Sequence, residues 1–352
     1  MAQETISPVL ITQRPFDSKS ATVISSQRSS SLTKNPNDSS INVPVDDVEI
    51  PTVDFTMLFS DDLDKRSRAL EHINQVCKDF GAFYLVNHGV SDSMLEGVFK
   101  GLSDFFNPRE IEDRIKQYEK KNPTDKIRWG VNSTHGENRE YLKVIAHPQC
   151  HCPTKPASFS ETMEEYFKTM RRIVHGLGKA ISNAMGFEEC YIEKAFNLDS
   201  GFDICSMNLY PPNFRSKSSM GLPNHTDPGF FVSLIQDVNG GLQILSHKGE
   251  WIDVNMPPNA IFINLGDHLE ILTNGKYKST LHRVVVGNNE VKRISVATLH
   301  GPSSDSFVCP APEFVDEHHP PSYRGMTYKQ SLETNGAVEI DAQSSLEQTR
   351  IE

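Results

Sequence analysis

The chain has no long apolar run, no excess of basic residues and only scattered cysteines. No stretch approaches the roughly 18 apolar residues that cross a bilayer, so we expect no membrane-spanning segment. Acidic residues outnumber basic ones by 46 to 35, and the net charge of −11 gives no electrostatic support for a nucleic-acid or anionic-membrane partner. The 6 cysteines lack the regular spacing of a disulfide framework, so reduced thiols are expected.

The first residues also lack the basic-then-apolar pattern of a secretory signal, which favours the cytoplasm. Residues 1–45 are rich in Ser, Thr, Asn and Pro, and few apolar residues recur at regular steps. Such a segment cannot bury enough apolar surface to offset the entropy lost on ordering. We therefore expect a flexible N-terminal segment over residues 1–45.

Residues 46–200 are expected to be mainly helical. Apolar residues recur at three- and four-residue steps over residues 61–80, which predicts a helix followed by a buried strand over residues 82–86. Ser91 is placed to cap a second helix. Ser158-Phe-Ser-Glu161 has the spacing of a capping box at the start of a third, long helix.

Residues 201–305 change to short apolar segments between Gly, Pro and Asn turns. The strand candidates are residues 204–210, 230–236, 242–245, 251–254, 260–265, 282–286 and 293–299. Many short strands predict a sandwich or barrel, and Gly287-Asn-Asn289 predicts a hairpin between the last two. The expected fold class is mixed α+β, with a jelly-roll core flanked by helices, the long helix packed on the barrel, and residues 306–352 as a C-terminal extension.

Five residues of this strand region form a chemically suggestive set: His225-Thr-Asp227, His282 and Arg293-Ile-Ser295. Residues two apart on a strand share a face. His225 and Asp227 are therefore expected on one face of their strand, and Arg293 and Ser295 on one face of theirs. Two histidines and one carboxylate are the facial triad of non-haem Fe(II) sites, which leaves three positions open. An arginine fork beside a hydroxyl suits a carboxylate. The pattern predicts an iron centre next to an organic-acid pocket.

Each part of this set has an ordinary structural alternative. A His-x-Asp triplet often caps a turn, a lone histidine often lies satisfied in a core, and Arg-x-Ser often marks a solvated edge. The ordered set on strands favours the metal site over these alternatives. Asn208 and Tyr210 share a further strand face, just before Pro211-Pro212, and would line the same interior if the strands close into one barrel.

With these residues, the chain resembles the plant 2-oxoglutarate- and Fe(II)-dependent dioxygenases of the large specialised-metabolism group, which share the isopenicillin N synthase fold. The resemblance runs from about residue 48 to the C-terminus. The matching motifs are Val86-Asn-His-Gly89, Asn208-Leu-Tyr-Pro-Pro212, Leu222-Pro-Asn-His-Thr-Asp-Pro228, Gly240-Gly-Leu-Gln-Ile244, Ile263-Asn-Leu-Gly-Asp267, Asn274-Gly-Lys-Tyr-Lys-Ser279, Leu281-His-Arg283 and Arg293-Ile-Ser-Val-Ala297. Asn213 replaces a usual cysteine and Leu209 a usual aromatic residue, and neither is a ligand position.

The resemblance implies a distorted jelly roll, or double-stranded β-helix, and roles for individual residues. The implied iron ligands are His225, Asp227 and His282. The residues implied for 2-oxoglutarate are Arg293 and Ser295 on its distal carboxylate, with Tyr210 and Asn208 assisting. Fe(II), 2-oxoglutarate and O2 are the implied cofactors and cosubstrates, with ascorbate as reductant.

The resemblance also points to the substrate pocket and the reaction. By analogy with relatives that oxidise flavonoids, the expected substrate contacts are Tyr141, Lys143, Ser206 and Leu299. Phe230 and Phe231 are placed to stack on a planar ring, or else to fill the barrel. No basic cluster for a phosphate or polyanion is evident in the sequence. We expect hydroxylation or O-demethylation of a small phenolic, flavonoid, coumarin or alkaloid by a monomeric enzyme.

Three alternatives remain open from the sequence. The first is an iron oxidase that does not use 2-oxoglutarate, as in isopenicillin synthase or aminocyclopropane-carboxylate oxidase, in which Arg293 and Ser295 would hold a substrate carboxylate. The second is a small-molecule-binding relative without turnover, against which the intact ligand set argues. The third is a cupin-like metal hydrolase or isomerase, which would not need the arginine and serine. Dependence of turnover on 2-oxoglutarate separates the first from the main hypothesis.

Overall fold

A computed structural model of the chain describes residues 49–122, 125–132, 139–212, 220–286, 291–336 and 345–351. All of them fall in one unit, Asp47–Glu352. The helices are α1 Leu63–Asp79, α2 Asp92–Phe105, α3 Ile111–Tyr118, α4 Phe159–Ala184, α5 Tyr191–Phe196, α6 Asp267–Leu272, α7 Tyr328–Gly336 and α8 Ser345–Thr349. The strands are β1 Thr52–Asp54, β2 Ala82–Val86, β3 Ile127–Asn132, β4 Arg139–His147, β5 Gly201–Tyr210, β6 Met220–His225, β7 Phe231–Gln236, β8 Leu242–Leu245, β9 Trp251–Asp253, β10 Ile261–Leu265, β11 His282–Val285, β12 Arg293–Ser303, β13 Phe307–Val308 and β14 Met326–Thr327.

Two sheets form the core of the described residues. The larger has the strand order β1-β2-β10-β7-β12-β5-β4-β3, and the smaller has the order β6-β11-β8-β9. Neighbouring strands in both are antiparallel, except for the parallel pair β1 and β2. The predicted fold class, a mixed α+β jelly roll flanked by helices, is confirmed. The two-stranded pair of β13 and β14 lies beyond this core.

The large sheet has one face toward the helices and one toward the small sheet. On β12, Ile294 and Val296 belong to the hydrophobic cluster that contains the buried side of α4. The alternating residues Arg293 and Ser295 point to the other face. Each large apolar side chain buried in this way stabilises the fold by roughly 1.5–3 kcal/mol. The predicted packing of the long helix on the barrel is therefore confirmed.

One of the two predicted helix caps is present. Ser91 accepts the backbone N–H of Met94 at the start of α2, as predicted. The capping box at Ser158 is wrong. Ser158 does precede α4, but its φ is +64° and its side chain makes no cap hydrogen bond, while Glu161 accepts from Ser160 instead. The side chain of Ser158 therefore does not stabilise the helix end.

Two features of the strands differ from the sequence prediction. β3 and β4 were not predicted, because charged residues alternate with apolar ones along them and no continuous apolar run appears. The hairpin between β11 and β12 is wrong: β11 pairs with β6 and β8, whereas β12 pairs with β5 and β7. The predicted turn at residues 287–289 lies outside the described residues.

The predicted division of the chain stays a prediction. The segment 1–45 lies outside the described residues, and nothing tests the boundaries placed at residues 200 and 305. Strands β1 to β4 precede residue 200 and complete the large sheet. In the described part of the chain, no helix has the length and hydropathy of a bilayer-crossing segment.

Candidate metal centre and adjoining anion pocket

His225, Asp227 and His282 converge at one end of the small sheet. His225 ends β6 and His282 begins β11, and the two residues face each other in the antiparallel register with ring centroids 4.2 Å apart. The Asp227 carboxylate lies 3.6 Å from His225 Nε2 and 3.3 Å from His282 Nε2. One ligand atom from each of the three residues lies within 4.8 Å of the others. The structure thus brings together the three predicted metal ligands.

Backbone carbonyls fix the orientation of both imidazoles. His225 donates from Nδ1 to the carbonyl of Pro223 at 2.8 Å, and His282 donates from Nδ1 to that of Thr280 at 2.9 Å. Because Nδ1 carries the proton, the Nε2 lone pair of each ring faces Asp227 and is available to a cation. Two imidazole nitrogens and one carboxylate are the donor set that suits Fe(II) with open positions.

The electrostatics of His225 and Asp227 also suit a cation. Burial, together with neighbouring His282, lowers the pKa of His225 to about 4. Burial alone would raise the pKa of Asp227, but the two histidines and a hydrogen bond from Asn264 outweigh it and the pKa is lowered. Near neutral pH, His225 is therefore neutral and Asp227 is ionised, which are the forms that bind a metal. For His282, burial would lower the pKa, but Asp227 outweighs it and the pKa is raised, so a metal would replace a proton there.

Asn264 supports the carboxylate and was missed as a functional residue. It lies on β10 of the large sheet, and its Nδ2 donates to Asp227 Oδ2 at 3.0 Å. The backbone N–H of Asp267 donates to the Asp227 carbonyl at 2.8 Å. The first contact ties Asp227 to the large sheet, and the second ties it to the start of α6, which follows β10. The motif Ile263-Asn-Leu-Gly-Asp267 was a signal for this role, but strand pairing was needed to place Asn264 beside Asp227.

The four residues predicted for an organic acid also lie together. Across β12 and β5, Arg293 pairs with Tyr210 and Ser295 pairs with Asn208. Arg293 Cζ lies 4.8 Å from the centroid of the Tyr210 ring, and Arg293 Nη1 donates to Ser295 Oγ at 3.2 Å. The Tyr210 ring packs against Gly221 of β6, the strand that ends at His225. We call the site formed by Arg293, Ser295, Tyr210 and Asn208 the anion pocket. It faces the same interior as the metal ligands.

Arg293 is only 1% exposed, and several hydrogen bonds hold its guanidinium in place. Nη2 donates to Gln236 Oε1 at 2.7 Å, and Nε donates to the carbonyl of Gly240. Burial lowers the pKa of the guanidinium. Its hydrogen bonds to Gln236, Gly240 and Ser295 end on neutral oxygens, and the charge of Asp237 also acts on the guanidinium. An anionic ligand would add a charge-assisted partner here. Gln236 is a second residue that the sequence reasoning missed.

The residues predicted to contact a substrate separate into two groups. Tyr141 and Lys143 of β4 pair with Asn208 and Ser206 of β5, on the face that also carries Tyr210. Leu299 lies on the same face of β12 as Ser295. These positions line the inner face of the large sheet beside the anion pocket.

Phe230 and Phe231 lie elsewhere. Both are buried in the hydrophobic cluster on the helix side of the large sheet, and the Phe230 ring centroid is 5.5 Å from that of Phe196. Phe231 shares a face of β7 with Ser233, whose hydroxyl is hydrogen-bonded to His300 at 3.0 Å. The structure does not bring these two rings together with Tyr141, Lys143, Ser206 and Leu299.

Known proteins are similar to the chain in both sequence and fold. Residues 201–302 match the family described as the 2OG-Fe(II) oxygenase superfamily, and residues 50–165 match the family described as non-haem dioxygenase in morphine synthesis N-terminal. The rice (Oryza sativa subsp. japonica) 2-oxoglutarate-dependent dioxygenase 19 is 36% identical over 308 residues, covering 86% of this chain and 90% of the relative. Rice flavanone 3-dioxygenase 3 is 32% identical, covering 81% and 87%.

A solved structure, JOX2 in complex with 2OG, Fe and JA, has 26% sequence identity and a TM-score of 0.75, covering 86% of this chain and 89% of that one. The fold and the site define the class of non-haem iron oxygenases built on a jelly roll. The chain belongs to the 2OG-Fe(II) oxygenase superfamily, as the predicted resemblance indicated. It is an Fe(II)- and 2-oxoglutarate-dependent dioxygenase.

Proposed function

We propose that this dioxygenase hydroxylates, or oxidatively O-demethylates, a small aromatic plant specialised metabolite such as a flavonoid, coumarin or alkaloid. The observation that supports the site most strongly is the common interior of the two sheets, where the metal donor set of β6 and β11 faces the buried guanidinium of β12. The likeness to a rice flavanone 3-dioxygenase supports an aromatic substrate.

We assign each residue of the site a role in this reaction. His225, Asp227 and His282 bind the iron. Arg293 and Ser295 bind the distal carboxylate of 2-oxoglutarate, and Tyr210 and Asn208 assist, with ascorbate as the reductant. When bound, iron and 2-oxoglutarate supply the activation of O2 and the oxidation of a substrate C–H bond, with release of succinate and CO2.

The protein contributes orientation and a dry cavity. The carbonyls of Pro223 and Thr280 hold the two imidazoles in one tautomer, so the ligand geometry is set before the metal arrives. Gln236 keeps the Arg293 fork in one position, which favours a single binding pose of a carboxylate. Hydroxylation of a methoxy carbon gives a product that loses formaldehyde, so O-demethylation needs no further residue.

Tyr141, Lys143, Ser206 and Leu299 contact the substrate in this proposal, because they line the inner face next to the anion pocket. A substrate contact by Phe230 or Phe231 stays a prediction. The monomeric state and the location in the cytoplasm also stay predictions, and one relative is described as chloroplastic.

The first experiment adds Fe(II) and 2-oxoglutarate to the purified protein without oxygen and records the visible charge-transfer band of the chelate. We expect the band in the wild type, its loss in His225→Ala and its weakening in Arg293→Ala. Lys168→Gln, on the exposed side of α4, is the control and should keep the band. Folded, iron-loaded wild type without the band would contradict the assignment of the cosubstrate site.

A further inference from the structure

Three cations lie on one face of β3 and β4, on the side of the sheet that carries the site. Arg128 pairs with Lys143 across the two strands, and Arg139 and Lys143 are spaced at even steps along β4. Tyr141 lies between them on the same face. The opposite face of β4 carries Leu142 and Val144, which belong to the hydrophobic core.

This cationic face, formed by Arg128, Arg139 and Lys143, adjoins the proposed cosubstrate pocket. Arg139 is only 6% exposed, and its Nη1 donates to Asn208 Oδ1 at 2.7 Å. Lys143 pairs in register with Ser206.

The geometry of the cationic face suits a flat ring with an acidic group. Arg139 Cζ lies 5.5 Å and Lys143 Nζ 5.9 Å from the centroid of the Tyr141 ring, so two positive charges lie near the aromatic ring. Ser206 presents only a small side chain opposite Lys143. A substrate ring has apolar and aromatic surface to lie on there, next to donors for an anion.

Arg128 carries an unsatisfied donor in this region. Its Nε is buried without a hydrogen-bond partner in the described part of the chain. The charge of Arg128 reaches Asp125, but that carboxylate accepts the backbone N–H groups of Lys121 and Asn122. A buried donor without a partner is costly, so a ligand oxygen that accepts from it would be favoured.

The acidic residue of β4 does not neutralise this face. Glu140 alternates with the cations and lies on the other side of the strand. There it accepts from Trp129 Nε1 at 2.7 Å and pairs with Arg114 Nε at 2.8 Å. Glu140 and the three cations therefore lie on opposite faces of the paired strands.

We propose that the cationic face binds the carboxylate of an aromatic acid, and that the ring of this substrate lies against Tyr141. This inference rests on the proposed function of the iron site and narrows its substrate to an anionic aromatic metabolite. Arginine supplies a planar fork for a carboxylate and lysine a point charge, and both are worth most where water is excluded. The distal carboxylate of 2-oxoglutarate has its own partner in Arg293.

The test measures succinate release with Fe(II), 2-oxoglutarate and matched pairs of trans-cinnamic, 4-coumaric and phenylacetic acid and their methyl esters. We expect a kcat/KM at least about tenfold higher for an acid than for its ester, since one charge-assisted contact is worth about that factor. Lys143→Gln and Arg128→Gln should each reduce this acid-to-ester ratio about tenfold, whereas Lys143→Arg should retain it. Lys168→Gln is the matched control on α4.

Several results would overturn the inference. These are a panel in which no acid exceeds its ester, and an unchanged ratio in both Lys143→Gln and Arg128→Gln. In Arg139→Gln, a raised KM for 2-oxoglutarate with an unchanged ratio would assign Arg139 to positioning Asn208 and remove it from the subsite. The anaerobic charge-transfer band separates the two proposals: a normal band without acid preference overturns only the anion subsite, and an absent band overturns the proposed function.

Discussion

Arg293 lies directly opposite Tyr210 in the register of β12 and β5, with its Cζ 4.8 Å from the centroid of the tyrosine ring. The pair is almost completely buried. A desolvated cation–π contact of this kind contributes about 2 kcal/mol, and with Gln236 it leaves the guanidinium one orientation. The fork is therefore set before a carboxylate enters the pocket.

Arg293→Gln should raise the KM for 2-oxoglutarate by roughly 10- to 100-fold, because a charge-assisted pair with the distal carboxylate is lost. Arg293→Lys should fall between this variant and the wild type, since it keeps the charge without the fork. Succinate release as a function of 2-oxoglutarate concentration checks both. Arg66→Gln on α1 is the control, and an unchanged KM in Arg293→Gln would contradict the assigned role.

Asn264→Ala should weaken Fe(II) binding by about 10- to 100-fold, the usual effect of removing a hydrogen bond to a ligating carboxylate. The change leaves all three ligands in place but frees Asp227 Oδ2 from its donor on β10. Anaerobic Fe(II) titration measures the affinity, and circular dichroism checks the fold. Asn239→Ala removes an amide that donates to the Lys292 carbonyl and should bind iron normally. Equal affinities in the two variants would show that Asn264 does not support the site.

Asp203 should make stability depend on acidic pH. Burial alone would raise its pKa, but His300 at 3.2 Å and Arg171 at 2.9 Å outweigh it, so the pKa lies below the ordinary 3.8. A lowered folded-state pKa gives stability that is present above about pH 4 and is lost as the pH falls through the folded value. Asp203→Asn should therefore cost about 3–5 kcal/mol at pH 7, as for a broken buried ion pair.

Urea unfolding at pH 7, 5 and 3 measures this difference in the free energy of unfolding. The difference in the free energy of unfolding between wild type and Asp203→Asn should become smaller at the lowest pH, where the wild-type carboxylate begins to take up a proton. Asp61→Asn, at an exposed position, should match the wild type throughout. A gap that stays constant down to pH 3 would mean that the charge of Asp203 is not what stabilises the network.

Gly229→Ala should be more disruptive than Gly249→Ala, although both glycines have a positive φ. At Gly229 the φ is +101° and a Cβ would lie 2.6 Å from the His300 carbonyl oxygen, whereas at Gly249 the φ is +81° and nothing lies within 4 Å. Backbone strain alone costs about 1–2 kcal/mol. Gly229→Ala adds a clash two residues from Asp227, so Tm and Fe(II) affinity should both fall. Equal losses of Tm and Fe(II) affinity in the two variants would show that contact with the His300 carbonyl oxygen does not matter.

The sequence was most informative where a structural feature is determined by a single short segment. β8 has the predicted bounds Leu242–Leu245, and the spacing of His225 and Asp227 is enough to suggest a metal site. The cationic face was missed because Arg128, Arg139 and Lys143 form no basic run. They meet only because β3 and β4 pair in one register. Long-range strand pairing is not encoded in any single segment, and it alone places such residues together.

Long-range strand pairing also explains why the sequence did not reveal the residues that support the site. Asn264 and Gln236 lie on β10 and β7, and their contacts to Asp227 and Arg293 depend on the strand order of the large sheet. The wrong hairpin between β11 and β12 has a related cause, because adjacent strands with a turn-forming sequence between them usually pair. Here the two strands belong to opposite sheets, a choice that the local sequence does not determine.

The division of the site between two sheets also fixes when the enzyme becomes competent during synthesis. The histidines lie on the small sheet, while the donor to Asp227 and the Arg293 fork lie on the large one. A nascent chain that has exposed only His225 and Asp227 lacks both its last ligand and its acid-binding strand. The complete ligand set and the acid-binding strand therefore come together only after the final barrel strands have emerged and both sheets have packed.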